Sequence, residues 1–311
     1  MRRRPANARR TAVLLAACLS AVALGALAFA PGAFADLFTP QSGGSPNANN
    51  IDSLYKITLY VAIVIFVGVE GTLFYTLVRF RARRGAVPAQ IRGNTRLEIG
   101  WTFGAAAILL VLAIVTFAKL SSIQDPVNSG PGGDSLAAAA DGDTLYATSN
   151  QRLPPNGKSL SIKVIGRQFI WQYVYPGTFL KTSNPDLLGQ PYTYEDMVVP
   201  TNTTVTLNIQ SLDVVHSWWI PQLGGKFQAV PGLSNYTWFK IDKPGVYRGQ
   251  CAEICGRLHA AMIAQVTAVP PAQFDQWLSN LERNIAAADA AAAAARTNLN
   301  SQTGASAVEN P

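Results

Sequence analysis

Apolar residues follow two rhythms along this 311-residue chain. In the first part they come in long unbroken runs, and from Ser159 onward in short alternating ones. Ile57–Val78 and Ile99–Leu120 each supply roughly the 20 residues needed to cross a bilayer's hydrocarbon core. They predict a transmembrane helical hairpin over residues 57–120. Strand-like segments then succeed one another: Ser159 to Ile165, Thr203 to Ile209, Tyr236 to Ile241, Val246 to Arg248 and Ala264 to Ala268. Pro231-Gly232 and Lys243-Pro244-Gly245 punctuate them. Short strands with such turns predict a β-sandwich over residues 158–270. After Pro270-Pro271 the period lengthens again. Ala272 to Arg283 reads as an amphipathic helix with Phe274, Trp277, Leu278 and Leu281 on one face, and an alanine-rich helix and polar tail run on to residue 311.

The remaining segments are read from composition. Residues 1–35 look like a cleaved signal peptide: a basic start, an apolar run from Thr11 to Ala30, and Ala33-Phe34-Ala35 before Asp36. Two alternatives stay open, retention as an uncleaved anchor and lipoprotein processing at Cys18. Residues 36–56 form an outer N-terminal segment, irregular from Asp36 to Asn50. Residues 121–157, rich in Gly, Ser, Ala, Asp and Pro, form a linker.

Charge changes the picture through its placement. The net charge of +7 could suggest a polyanion partner. Yet five arginines fall in the leader, and Arg79, Arg81, Arg83, Arg84, Arg92 and Arg96 crowd the short connection between the two apolar runs. From Ile99 onward there are 13 basic and 14 acidic residues. The basic cluster marks the cytoplasmic side of a membrane, so the partner is a lipid bilayer and no nucleic acid is expected. The β-domain then lies on the outer face. Glu70 falls inside the first apolar run, where charge is expensive, and takes no assigned role.

Chemistry concentrates near the end of the chain. Cys251, Cys255, His259 and Met262 fall within twelve residues, and the other histidine, His216, lies 35 positions before Cys251. Soft sulfur with imidazole and a thioether suits copper. Two thiolates four residues apart can bridge a pair of coppers. Each copper then takes one histidine, with Met262 and the Glu253 carbonyl as weak outer ligands. A zinc site leaves Met262 unexplained, and a disulfide leaves both histidines unexplained.

The stretch Tyr247-Arg248-Gly249-Gln250-Cys251-Ala252-Glu253-Ile254-Cys255-Gly256, through His259 and Met262, with Asp213-Val214-Val215-His216-Ser217-Trp218 upstream, resembles subunit II of haem-copper cytochrome c oxidase. The resemblance implies a membrane-anchored α + β fold, a two-helix hairpin followed by a cupredoxin-like β-sandwich. It implies a dinuclear, mixed-valence copper centre on His216, Cys251, Glu253, Cys255, His259 and Met262. Its partners are a catalytic subunit I with the other oxidase subunits and a c-type cytochrome donor, in a bacterial cell membrane. In the family the Glu253 side chain also reaches a Mg or Mn ion shared with the catalytic subunit. Asn94 to Thr102 resembles the segment opening the second helix, where the residue at Glu98 guards the mouth of a proton pathway. An acid there also complements a helix dipole. Phe169 stands where the family usually has the tryptophan that accepts electrons, and Trp171 is the nearby aromatic alternative. Acids around the site are sparse (Asp213, Glu195, Asp196), which points to a donor tethered to the membrane or held in a supercomplex. Trp218 and Trp219 read as packing. No Cys-x-x-Cys-His haem motif occurs. A quinol-oxidase subunit II lacks the copper ligands, and the Glu98 segment argues against a nitrogen-oxide reductase.

Overall fold

The computed structural model describes residues 39–81, 85, 87, 90–131, 152–176 and 190–307. The expected signal peptide, Cys18, Arg83 and Arg84 lie outside the described residues.

Among the described residues two long helices come first, α1 (Pro46–Arg79) and α2 (Thr95–Gln124). None of their apolar stretch is buried within the chain. At 1.5 Å per residue they extend about 50 and 45 Å, more than the ~30 Å of a hydrocarbon core. Asn50 near the start of α1 donates to the Ser122 carbonyl near the end of α2 at 2.9 Å, so the helices run antiparallel. Helix α1 begins well before the apolar run. The irregular segment expected up to Asn50 therefore ends at Ser45, because Pro46 takes the first helical position, where a missing N–H costs nothing. The first turns of α1 serve the sandwich: Asn47, Ala48 and Asp52 are buried. Asn47 Nδ2 donates to the Trp238 carbonyl at 2.7 Å. Helix α2 likewise runs four residues into the expected linker, where Trp238 Nε1 donates to the Ile123 carbonyl at 3.0 Å.

Ten strands follow. A five-stranded sheet has the order β3-β2-β1-β5-β8, built from β1 (Leu160–Arg167), β2 (Ile170–Val174), β3 (Tyr192–Tyr194), β5 (Thr204–Ser211) and β8 (Asn235–Lys240). A three-stranded sheet, β4-β10-β9, comprises β4 (Asp196–Pro200), β10 (Ile263–Val269) and β9 (Gly245–Gln250). A small ribbon pairs β6 (His216–Trp218) with β7 (Phe227–Ala229). Strands β1 and β5 are parallel, as are β10 and β4; the other pairs are antiparallel. Alternation places Leu160, Ile162 and Val164 of β1 in the core with Val205, Leu207 and Ile209 of β5. The opposite face of β5 is also buried, at Thr204, Thr206 and Asn208. Thr204 Oγ1 donates to the Val127 carbonyl at 2.6 Å, so the segment after α2 covers that face.

The last described element is α3 (Pro271–Ala307). The short helix and separate alanine-rich helix expected from sequence are one continuous element. No glycine or proline separates Arg283 from the alanine run, and alanine has the highest helix propensity. Phe274 is buried and Trp277, Leu278 and Leu281 pack against the core.

Candidate metal centre

Strand β9 ends at Gln250 and β10 starts at Ile263, so the twelve residues between them form one loop. The ladder closes on the loop's own ends, where the Cys251 N–H donates to the Met262 carbonyl at 2.9 Å. A second pin ties the loop to β6, from the Ala252 N–H to the Ser217 carbonyl at 2.8 Å. Close approach makes this geometry depend on glycine. A Cβ on Gly249 would stand 1.9 Å from the Trp219 carbonyl oxygen. Gly256 adopts φ +137, a conformation that L side chains rarely adopt. A Cβ on Gly166 would crowd the His216 and Trp171 rings, at 3.0 and 3.1 Å.

Five side chains converge there. Cys251 Sγ lies 3.9 Å from Cys255 Sγ and 3.9 Å from His216 Nδ1. Cys255 Sγ lies 3.6 Å from His259 Nδ1 and 3.9 Å from Met262 Sδ. The Glu253 carbonyl is 3.3 Å from Cys251 Sγ. Around a tetrahedral ion with ~2.3 Å metal–sulfur and ~2.05 Å metal–nitrogen bonds, two thiolates stand about 3.8 Å apart, and a thiolate and an imidazole nitrogen about 3.6 Å. The residues fit a metal. His216, Cys251, Cys255 and Met262 are buried, while His259 is half-buried at the surface. Both cysteines are free thiols.

Electrostatics prepare the same residues. Burial pushes the Cys251 thiol up, but hydrogen bonds from His216 and its other neighbours pull it further down, to about 6. Burial and then the Cys251 charge raise Cys255, so the pair gives up its protons in separate steps. Burial lowers the His216 pKa, yet its bonds to Cys251 and Asp213 raise it more. Asp213 is the orienting group. His216 Nε2 donates to its Oδ1 at 2.8 Å, which leaves Nδ1 facing the sulfur. Its Oδ2 accepts from the Gln168 N–H at 2.6 Å, and Oδ1 also accepts from the Val214 N–H at 2.6 Å. Despite the cost of burial, these bonds hold its carboxyl below the usual range. Sequence reasoning placed Asp213 only among the acids facing a donor. Its spacing three residues before His216 was the available signal. Gln168, whose Nε2 donates to the Cys255 carbonyl at 2.6 Å, was missed and has no such signal.

The aromatic candidates separate. Trp171 is fully buried, and its ring meets His216 edge-on at 5.8 Å between centroids. Phe169 sits in the turn between β1 and β2, half-buried, with its ring beside Gly256. Trp218 is buried, and Lys226 stands 4.7 Å over the Trp219 ring. Glu253 borders an open hollow of about 450 Å³ with Ser217, Lys226, Gln228 and Asn235. Glu98 stands apart, at the start of α2. Its carboxylate accepts from the Asn94 N–H at 3.2 Å while Asn94 caps Leu97.

Residues 160–269 match the model of the cytochrome c oxidase subunit II periplasmic domain, and residues 35–119 match that of the subunit II transmembrane domain. Subunit 2 of cytochrome c oxidase from Oenothera berteroana is 33% identical over 78% of this chain and 88% of its own length. The chain belongs to the cytochrome c oxidase subunit II family. A probable subunit 2 from Rickettsia bellii is 30% identical over 77% of this chain and 82% of its own. The solved periplasmic domain of subunit II from Bradyrhizobium japonicum is 36% identical, covering 40% of this chain and 94% of that one, with a TM-score of 0.35. This subunit II is therefore membrane-anchored through two apolar helices and forms part of a haem-copper oxidase with partner subunits. Its family implies a copper centre, and the clustered His216, Cys251 and Cys255 suit one. The fold class read from the sequence holds.

Proposed function

We propose that this subunit accepts electrons from a c-type cytochrome and delivers them to haem in the catalytic subunit, where O₂ is reduced and protons are translocated. The convergence of His216, Cys251, Cys255, His259 and Met262 at metal-ligand spacings supports this reading. A pair of coppers, when bound, supplies a one-electron couple shared over both ions. Cys251 and Cys255 would be the thiolate ligands shared by the pair, His216 and His259 would complete one ligand set each, and Met262 and the Glu253 carbonyl would be the weaker ligands. The chain's own part is rigidity. Asp213 holds the His216 ring, Gln168 holds the Cys255 carbonyl, and the closed β9–β10 ladder fixes both ends of the loop. A site held in one geometry reorganises little when its charge changes.

Further roles follow the family. The Glu253 carboxylate would hold a Mg or Mn ion shared with the catalytic subunit, and the open hollow beside it leaves room for that partner. Glu98 takes up protons at the arginine-rich end of the hairpin, which faces the cytoplasm, so the β-domain stands on the outer face of a bacterial membrane. Phe169 receives electrons from a donor held at the membrane. The deciding experiment is copper analysis and electron paramagnetic resonance of the purified oxidase. Two coppers per subunit, with hyperfine structure from one electron shared between two nuclei, support the reading. A single-nucleus pattern sinks it.

A further inference from the structure

We propose that the junction between hairpin and sandwich holds a zwitterionic phospholipid. A cavity of about 410 Å³ opens where α1 begins and α2 ends, a volume in the range of small-molecule sites. Its walls combine three kinds of surface. Ile51 and Leu120 supply aliphatic side chains from the helix ends, Tyr236 and Trp238 supply aromatic rings from β8, and Arg152 supplies a guanidinium. Gly225 lines one wall without a side chain.

Position selects the occupant. Leu120, in the cavity wall, lies about one turn beyond Phe117, which is exposed on the apolar part of α2, so the cavity borders the stretch of α2 that a bilayer would cover. An acyl chain can leave along Leu120 while its headgroup stays inside. Aromatic residues favour this depth. Charge selects the headgroup. Arg152 pairs with Asp125 through one terminal nitrogen, and both side chains are about half exposed. Exposed pairs contribute little and exchange partners readily. Arg152 keeps further donors for a phosphate, since guanidinium carries five N–H bonds. Asp125 beside it offers a carboxylate to an ammonium group. A headgroup with phosphate and ammonium matches both, whereas a purely anionic one meets Asp125 with like charge.

The test uses the intact oxidase in its own membranes with photoactivatable phosphatidylethanolamine and phosphatidylglycerol. Cross-links are mapped by peptide. We expect the ethanolamine lipid to label the peptides bearing Ile51, Leu120 and Tyr236–Trp238. Labelling should fall about tenfold in Arg152→Ala, the loss expected of one charge-assisted hydrogen bond. Gly225→Leu should block it with Arg152 intact, because a Cβ there meets only ordinary contacts, at 3.7 Å or more. Labelling confined to the rest of the hairpin, or unchanged in both variants, overturns the proposal. Equal labelling by the glycerol lipid overturns the headgroup match. Loss of labelling on adding inorganic phosphate reassigns the cavity to a free anion.

Discussion

Asp213 ties two backbone N–H groups and one imidazole to a single carboxylate, so its loss reaches a ligand without touching a thiolate. Asp213→Asn should weaken copper retention by about 10–100-fold, the usual effect of removing a partner that orients a metal-bound histidine. Competition with a chelator measures it. The sign with pH follows from the depressed carboxyl. Its stabilisation is present above the ordinary carboxylate range and disappears as pH falls through the lowered value, so the native chain should lose copper towards acid while the variant starts weaker and changes less. Phe169→Trp is the complementary change. With a soluble cytochrome c it should raise the stopped-flow reduction rate by roughly tenfold, the low end of the range over which interface changes move association rates. An unchanged rate places electron acceptance elsewhere. The donor cluster was legible in the sequence because coordination dictates residue type and spacing. Gly166, Gly249 and Gly256 were not legible, because each is required by an atom from a distant segment.

At the scale of elements, α3 divides into a packed and an exposed part. Its side chains reach the body as far as Asp289, and residues 290–301 are exposed. Removing residues 290–311 should change the unfolding free energy by no more than about 0.5 kcal/mol, as for surface changes generally. Phe274→Ala should cost about 3–5 kcal/mol, because the ring is buried beside Tyr175 and Trp277. Denaturant unfolding of the purified chain in detergent compares the two. The packed face of α3 was readable as Phe274, Trp277, Leu278 and Leu281, since period alone identifies it. Strands β2, β3, β4, β6 and β7 escaped notice. They are only three to five residues long, and Gln172, buried in β2, breaks the expected alternation.

Across the whole molecule, the hairpin and sandwich are joined by contacts that the sequence placed in an irregular segment and a linker. Asn47 is the clearest, with its amide buried under β8 and a Cβ on Gly224 only 2.8 Å from its nitrogen. Asn47→Ala leaves the Trp238 carbonyl buried without its partner and should cost about 1–3 kcal/mol. Hydrogen exchange should then quicken in β8 and in the first turns of α1 while β1 and β2 stay protected. No local pattern shows such a joint, because its two halves lie 191 residues apart. For the proposed electron relay, the consequence reaches electron flow. Tunnelling rates fall off exponentially with the gap between donor and acceptor, so a domain swinging on a loose tether would deliver electrons in erratic bursts, set by its closest passes. Hydrogen bonds from Asn47 and Trp238 fix the sandwich to the helix ends in place of such a tether, and the current of the proposed relay becomes a property of the fold.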